Sequence, residues 1–153
     1  MTNQIRDLMT RGPIALRESQ TAAEAARMMK ECAVGDVLVC DDEGALCGIV
    51  TDRDLRHRLF APDVFPSIGS VRVEELLSTV RVSDVMSAPV ISVGAGTELA
   101  EAARVMAKSK VGSLPVVEHD RVLGIVTETD LLRHIVGADA CCADVEAIVV
   151  SYP

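Results

Sequence analysis

The chain repeats one pattern of hydrophobic and polar positions twice along its length. In each half, apolar residues recur at positions i, i+3, i+4 and i+7, a spacing that predicts an amphipathic helix. The two predicted helix faces are Ala22, Ala25, Ala26 and Met29, then Leu99, Ala102, Ala103 and Met106. Runs rich in Val and Ile follow each helix and predict strands at 37–40, 46–50, 114–117 and 122–126, with brief strands at 14–16 and 90–93 before the helices.

This repetition extends to the residues themselves. The letters EAAR stand at 24–27 and again at 101–104, an offset of 77, and GIVT stands at 48–51 and again at 124–127, an offset of 76. One residue is therefore lost between the stretches DDEGAL and EHDRVL. Insertions and deletions fall in surface turns, so this position predicts a hairpin turn in each half.

The repeated pattern predicts an α+β fold made of two β-α-β-β-α repeats. A unit of about 55 residues encloses too little interior to be stable alone, so we expect the copies to pack together with pseudo-twofold symmetry. The predicted divisions are repeat 1 at 1–60, a linker with a short helix at 61–81, repeat 2 at 82–136 and a tail at 137–153. The tail contains an apolar run at 145–150 that predicts one further strand. Pro115 lies inside a predicted strand and is expected at a sheet edge.

Composition narrows the function classes. Hydrophobic residues make up 49% of the chain but aromatic residues only 2%, and the formal net charge is -8. Single-stranded nucleic acid is bound by aromatic stacking in a basic groove, so we expect no nucleic-acid partner. The first residues lack the apolar stretch of a signal peptide, and no 18-residue apolar run exists. We therefore expect a soluble cytoplasmic protein without membrane contact.

Metal binding and catalysis find little support in the sequence. The five cysteines follow no C-x-x-C spacing and are expected to be reduced thiols, with a Cys40–Cys47 redox pair as a lesser alternative. The three histidines lack the spacing of metal ligands, so no metal site is predicted. No nucleophile elbow, zinc-protease motif or phosphate-binding loop occurs. We expect that the chain is not an enzyme.

The octapeptides GIVTDRDL at 48–55 and GIVTETDL at 124–131 end each repeat. Thr51 with Asp54, and Thr127 with Asp130, have the spacing of a capping box at a helix start, which is a purely structural role. The same corner offers a hydroxyl and free amides to a phosphate and a carboxylate to ribose hydroxyls. One turn later, Arg56 and Arg133 could meet phosphates or lie on a solvated helix face. Both interpretations stay open at this point.

These motifs resemble those of a tandem pair of CBS (cystathionine β-synthase) domains. The leaders DLM and DVM, the strand entries beginning Val-Gly, and the closing GIVT-x-x-D recur in order, over about residues 5–60 and 82–136. The resemblance implies a ligand containing adenosine, namely AMP, ADP, ATP or S-adenosylmethionine, bound in clefts between the repeats, and no other cofactor. It also implies a homodimer and an unidentified protein whose activity follows the ligand, as in energy sensing.

The resemblance assigns roles to particular residues. Asp54 and Asp130 would bind ribose, and Thr51 and Thr127 would lie near phosphates. The adenine would lie against Ile14, Val90, Val37 and Leu114. The residue before the second strand faces the phosphates in relatives, and it is Asp36 in one repeat and Ser113, after Gly112, in the other. A carboxylate repels phosphate, so the cleft containing Ser113 is the expected phosphate site.

Three hypotheses follow from the sequence. The first is a regulatory module that binds an adenosine-containing ligand and makes or breaks no bond. The second is an interaction module that dimerises without a ligand, in which Asp54 and Asp130 serve only as helix caps. The third is a small hydrolase that uses one of these aspartates. Loss of ligand binding on replacing Asp54 or Asp130 separates the first hypothesis from the second, and nucleotide turnover would indicate the third.

Overall fold

The computed structural model describes residues 3–59 and 72–137 of the 153-residue chain. Its elements, in order, are β1 (Thr10–Arg11), β2 (Ala15–Arg17), α1 (Ala22–Cys32), β3 (Asp36–Cys40), β4 (Leu46–Thr51), α2 (Asp52–Leu59), α3 (Val73–Thr79), α4 (Leu99–Ser109), β5 (Ser113–Glu118), β6 (Arg121–Thr127) and α5 (Glu128–Val136). Short 3-10 turns at Ile5–Asp7 and Val82–Asp84 lie in the leader of each repeat. The predicted strand at 145–150 lies outside the described residues.

The predicted repeat is confirmed in both halves. In the first, β2 pairs parallel to β3, which pairs antiparallel to β4. In the second, β5 and β6 form the matching antiparallel hairpin. The predicted strand at 90–93 is wrong: only Val93 bridges to Val116, in the same parallel sense. The strand at 14–16 is shifted by one residue, to Ala15–Arg17.

Local sequence explains where these elements begin and end. Thr21 accepts a hydrogen bond from the amide of Glu24 and forms a capping box at the start of α1. The second hairpin turns through His119 and Asp120, whose φ angles of 50° and 61° are those of a two-residue turn with both central residues left-handed. The first hairpin has a longer turn, so the predicted site of the insertion is confirmed.

Pro115 lies on an edge strand, as predicted. The order of the second sheet is β1-β6-β5, which leaves the outer side of β5 without a neighbouring strand among the described residues. The carbonyl of Pro115 accepts from the amide of Val93 at 3.0 Å, and Val117 donates to Val93 at 2.9 Å. Only the carbonyl of Pro115 is needed here, so its missing amide costs no hydrogen bond.

Each leader packs in the other half of the chain. Ile5 is fully buried in the cluster formed by α4, β5 and β6, and its amide donates to Thr97 at 2.9 Å. Val82 is fully buried in the cluster around α1 and β3, and its amide donates to Gln20 at 2.8 Å. Strand β1 likewise adds to the edge of β6. The two repeats are therefore joined by exchanged segments as well as by contact.

Candidate functional site

The two corners where β4 meets α2 and β6 meets α5 have the same hydrogen bonds. Oδ2 of Asp54 accepts from the amide and the hydroxyl of Thr51, both at 2.8 Å, and the amide of Asp54 donates back to that hydroxyl at 3.1 Å. Asp130 and Thr127 form the same three bonds at 2.8, 2.8 and 3.2 Å. The predicted capping boxes are confirmed. They use one carboxylate oxygen and leave the other for a further partner.

The corners differ at that second oxygen. Oδ1 of Asp54 accepts from the hydroxyl of Ser87 at 3.3 Å, and Ser87 belongs to the leader exchanged from the second repeat. Among the hydrogen bonds between described residues, none reaches Oδ1 of Asp130. A ribose hydroxyl at Asp54 must therefore displace Ser87, whereas Asp130 offers an acceptor already exposed to a donor.

Asp36 and Ser113 meet at the seam between the repeats. Asp36 is paired with Thr51 in the β3–β4 ladder, and Ser113 with Thr127 in the β5–β6 ladder, so each stands directly opposite the hydroxyl of its corner. The hydroxyl of Ser113 lies beside the carboxylate of Asp36. The sequence assigned these residues to different clefts. The structure brings them together, so the cleft containing Ser113 is not free of the carboxylate.

The electrostatics of the seam disfavour the charged form of Asp36. Burial raises the pKa of its carboxyl above the ordinary value of 3.8, and the carboxylates of Asp52 and Asp54 raise this pKa further. The hydroxyl of Ser113 opposes this rise. Negative charge is therefore concentrated at the seam, next to the first corner.

Replacing Asp36 by asparagine is expected to raise the free energy of unfolding at neutral pH. Because the pKa of Asp36 is higher in the folded chain, the folded state binds more protons between 3.8 and the raised value, and stability falls as pH rises through this window. At lower pH both states are protonated, and the two proteins should converge. Urea unfolding from acid to neutral pH measures this difference, and a pH-independent difference would contradict it.

The residues expected to contact adenine are only partly placed at the seam. Ile14 and Val90 are half-buried. Val37 and Leu114 are fully buried in the helix-side clusters, so the expectation that they line a cleft is wrong. Side chains alternate across a strand, so Asp36 points to the face opposite Val37, and Ser113 to the face opposite Leu114. The buried polar residue at the start of each strand was the sequence signal for that face.

The basic residues near the corners lie on exposed surface. Arg56 forms an ion pair with Asp52 at 2.9 Å across one turn of α2. Arg133 is exposed in the last turn of α5. Gly112 is exposed, and its carbonyl accepts from the amide of Glu128 at 2.9 Å, so that it adjoins the second corner. A phosphate at the first corner would compete with Asp52 for Arg56.

Other candidate chemistry lies away from the corners. A cavity of about 220 Å³ is lined by Glu18, Ser19, Asp41, Asp42, Arg81 and Ser83, none of which is a predicted site residue. Burial, followed by the neighbouring Glu18, raises the pKa of Cys47 to about 12, which keeps this thiol protonated. Within residues 3–59 and 72–137, no three His, Cys, Asp or Glu side chains converge as metal ligands. No helix in these ranges is long and apolar enough to cross a membrane.

Comparison with known families agrees with this architecture. The model of the CBS domain matches the chain twice, at residues 5–61 and 82–137. The chain belongs to the CBS domain family. The two matches contain the two corners, so this chain is a tandem CBS pair, with one Thr-Asp corner in each domain.

Individual relatives share the pair over most of its length. Hypoxic response protein 1 of Mycobacterium tuberculosis is 30% identical over 130 residues, which are 85% of this chain and 83% of that protein. A crystal structure of Hypoxic Response Protein I with two coordinated zinc ions has a TM-score of 0.69 at 28% identity, covering 86% of this chain and 98% of that one.

Two further relatives differ in length and ligand. Protein MJ1404 of Methanocaldococcus jannaschii is 31% identical over 133 residues, which are 86% of this chain but 32% of that protein. The crystal structure of CBSX2 in complex with AMP has a TM-score of 0.70 at 26% identity, covering 88% of this chain and 97% of that one. The CBS pair is therefore found both as most of a protein and as part of a longer one.

Proposed function

We propose that this CBS pair is a regulatory module that binds an adenosine-containing ligand between its repeats. The observation that carries the proposal is the second corner, where Asp130 keeps one carboxylate oxygen without a partner among the described residues while its other oxygen is fixed by Thr127. A fixed carboxylate with an open acceptor suits the hydroxyls of a ribose. The relative CBSX2, which binds AMP, supports this ligand class, within which AMP, ADP, ATP and S-adenosylmethionine are the candidates.

The difference between the corners gives the module a means of signalling. A ribose at Asp54 would displace Ser87, which also exchanges two backbone hydrogen bonds with Ile49, at 2.8 and 3.2 Å. Ligand binding there would favour a different packing of the exchanged leader, and it can shift the population only by its differential affinity for the two packings. An unidentified partner protein in the cytoplasm would respond to that change, and no bond of the ligand is made or broken.

A thermal melt tests ligand binding. A ligand at 100 times its Kd is expected to add about 2.7 kcal/mol of stability, which raises the Tm of a domain of this size by roughly 5–10 °C. Asp130→Ala should abolish most of that shift and cost about 1 kcal/mol of stability through the lost cap. Glu101→Ala, which removes an exposed carboxylate from α4, is the matched control and should keep the shift. No shift with any of the four ligands at millimolar concentration would refute the proposal.

A ligand-free dimerisation module is the second candidate. One observation favours it: Leu132, Ile135 and Val136 are 61, 76 and 59% exposed and lie on one side of α5. Exposed apolar patches of this kind mark contact surfaces, and a twofold homodimer would bury them. This candidate predicts that Asp130→Ala lowers stability by the capping energy alone and changes no ligand affinity. Sedimentation of Leu132→Glu separates its dimer from a monomer.

A further inference from the structure

The position of Asp36 connects it to both corners of the seam. Asp36 is opposite Thr51 in an antiparallel ladder, so the two side chains project from the same face with Cα atoms roughly 4.5–5.5 Å apart. The amide of Asp52, the first residue of α2, donates to the carbonyl of Gly35 at 2.9 Å and holds the start of the helix against the same point. The carboxylate of Asp36 therefore stands beside the first corner.

The same carboxylate also borders the second corner. Ser113 is the position equivalent to Asp36 in the second repeat, is 6% exposed, and has its hydroxyl beside the carboxylate of Asp36. Ser113 is in turn opposite Thr127, so its side chain projects from the same face as the second hydroxyl. One acidic side chain thus lies between the two corners. The pseudo-twofold symmetry of the fold is broken at the position closest to its axis.

The charges around Asp36 are not balanced by nearby cations. Asp52 and Asp54 face it from α2, and the carboxylate of Glu128 lies within 3.7 Å of the position that a Cβ on Gly112 would occupy. Arg56, the basic residue placed nearest the first corner by the sequence, is already bonded to Asp52 at 2.9 Å. A 5′-phosphate brought to either corner would add one more negative group to this surface.

We propose that Asp36 makes the seam select adenosine ligands whose 5′ substituent is neutral or cationic over ligands that carry a 5′-phosphate. A ribose held by Asp54 or Asp130 extends its 5′ substituent toward the strand that carries the paired threonine, where the carboxylate of Asp36 would repel an anion and attract a cation. Asp36 is then the specificity-determining residue for both clefts. This inference rests on the proposed function, because it concerns the same site.

The test compares three ligands of one shape and different charge: adenosine, AMP and 5′-amino-5′-deoxyadenosine. Calorimetric titration of the native chain, without divalent cations, should give the highest affinity for the amino compound and the lowest for AMP. Asp36→Ser, which makes the first repeat like the second, should raise the affinity for AMP about tenfold or more, since a carboxylate and a phosphate a few ångströms apart interact strongly even at an effective dielectric near 20. The affinity for adenosine should stay within about twofold.

Matched variants make the result specific. Asp36→Asn repeats the test with a side chain of the same shape, in case the serine variant does not fold. Asp42→Ser removes an equal charge from the exposed first hairpin turn and should leave all three affinities unchanged. Ser113→Asp should weaken AMP binding further. An AMP affinity that equals or exceeds that of adenosine in the native chain, and that Asp36→Ser and Asp36→Asn leave unchanged, would overturn the inference alone. Failure of all three ligands to bind the folded native chain would overturn the proposed function, and this inference with it.

Discussion

Replacing Ile5 by alanine is expected to lower the free energy of unfolding by about 2–5 kcal/mol, the usual cost of truncating a fully buried isoleucine. Ile5 is only the fifth residue of the chain, where substitutions are ordinarily tolerated. It is costly here because its side chain packs among α4, β5 and β6 of the second repeat. Urea unfolding measures the loss. Asp7→Ala, an exposed change on the same turn, should stay within about 0.5 kcal/mol.

The location of the effect tests the exchange of leaders. In methyl NMR spectra of Ile5→Ala, the shifted resonances should belong to Leu99, Leu114 and Val116 of the second repeat. Val82→Ala, the equivalent change, should instead shift Val37 and Val39 of the first repeat. Shifts confined to the repeat in which each substitution lies would show that the leaders are not exchanged.

Gly124→Ala is expected to lower the free energy of unfolding by about 1–3 kcal/mol, the range for overpacking a filled interior. A Cβ at this position would lie 2.6 Å from the carbonyl oxygen of Thr10 and 2.9 Å from the sulfur of Met9, because the exchanged leader crosses directly over β6. The oxygen belongs to the paired backbone of β1 and cannot move without breaking the ladder. Urea unfolding again gives the size of the loss.

Two other glycines act as graded controls for Gly124. A Cβ at Gly48 would clash with the side chain of Met86, a flexible group whose Cβ lies 3.1 Å away, so Gly48→Ala should cost less than Gly124→Ala. A Cβ at Gly35 would meet no atom within 4 Å, so Gly35→Ala should be neutral or slightly stabilising. Equal losses at Gly35 and Gly124 would mean that backbone freedom, rather than the crossing leader, requires glycine.

The features that the sequence predicted correctly depend on neighbours in the chain. The helix containing Ala22 and Ala25 follows from spacing alone, and the corner at Thr51 and Asp54 is formed by residues three positions apart. The hairpin turns were visible because the two copies differ in length there. Each of these interactions is local, so the pattern of residue types is sufficient to predict it.

The features that the sequence did not predict join residues far apart. The side facing the seam was assigned wrongly for Val37 and Leu114 because β3 and β5 are buried on both faces, and a continuous apolar run carries no alternation that identifies either face. The contact of Asp36 with Ser113 joins positions 77 residues apart, and the hydrogen bond of Ser87 to Asp54 joins positions 33 apart. Nothing in either local stretch encodes these partners.

The sequence by itself therefore determined the duplicated unit, its helices and hairpins, and the paired threonine and aspartate of each corner. Only the tertiary structure decided which half each leader joins, why GIVT begins with glycine, and which polar residue lies between the corners. The physical reason is that a repeat is written into the order of residues, whereas the packing of one repeat on the other depends on shape and charge complementarity between surfaces that are distant in sequence.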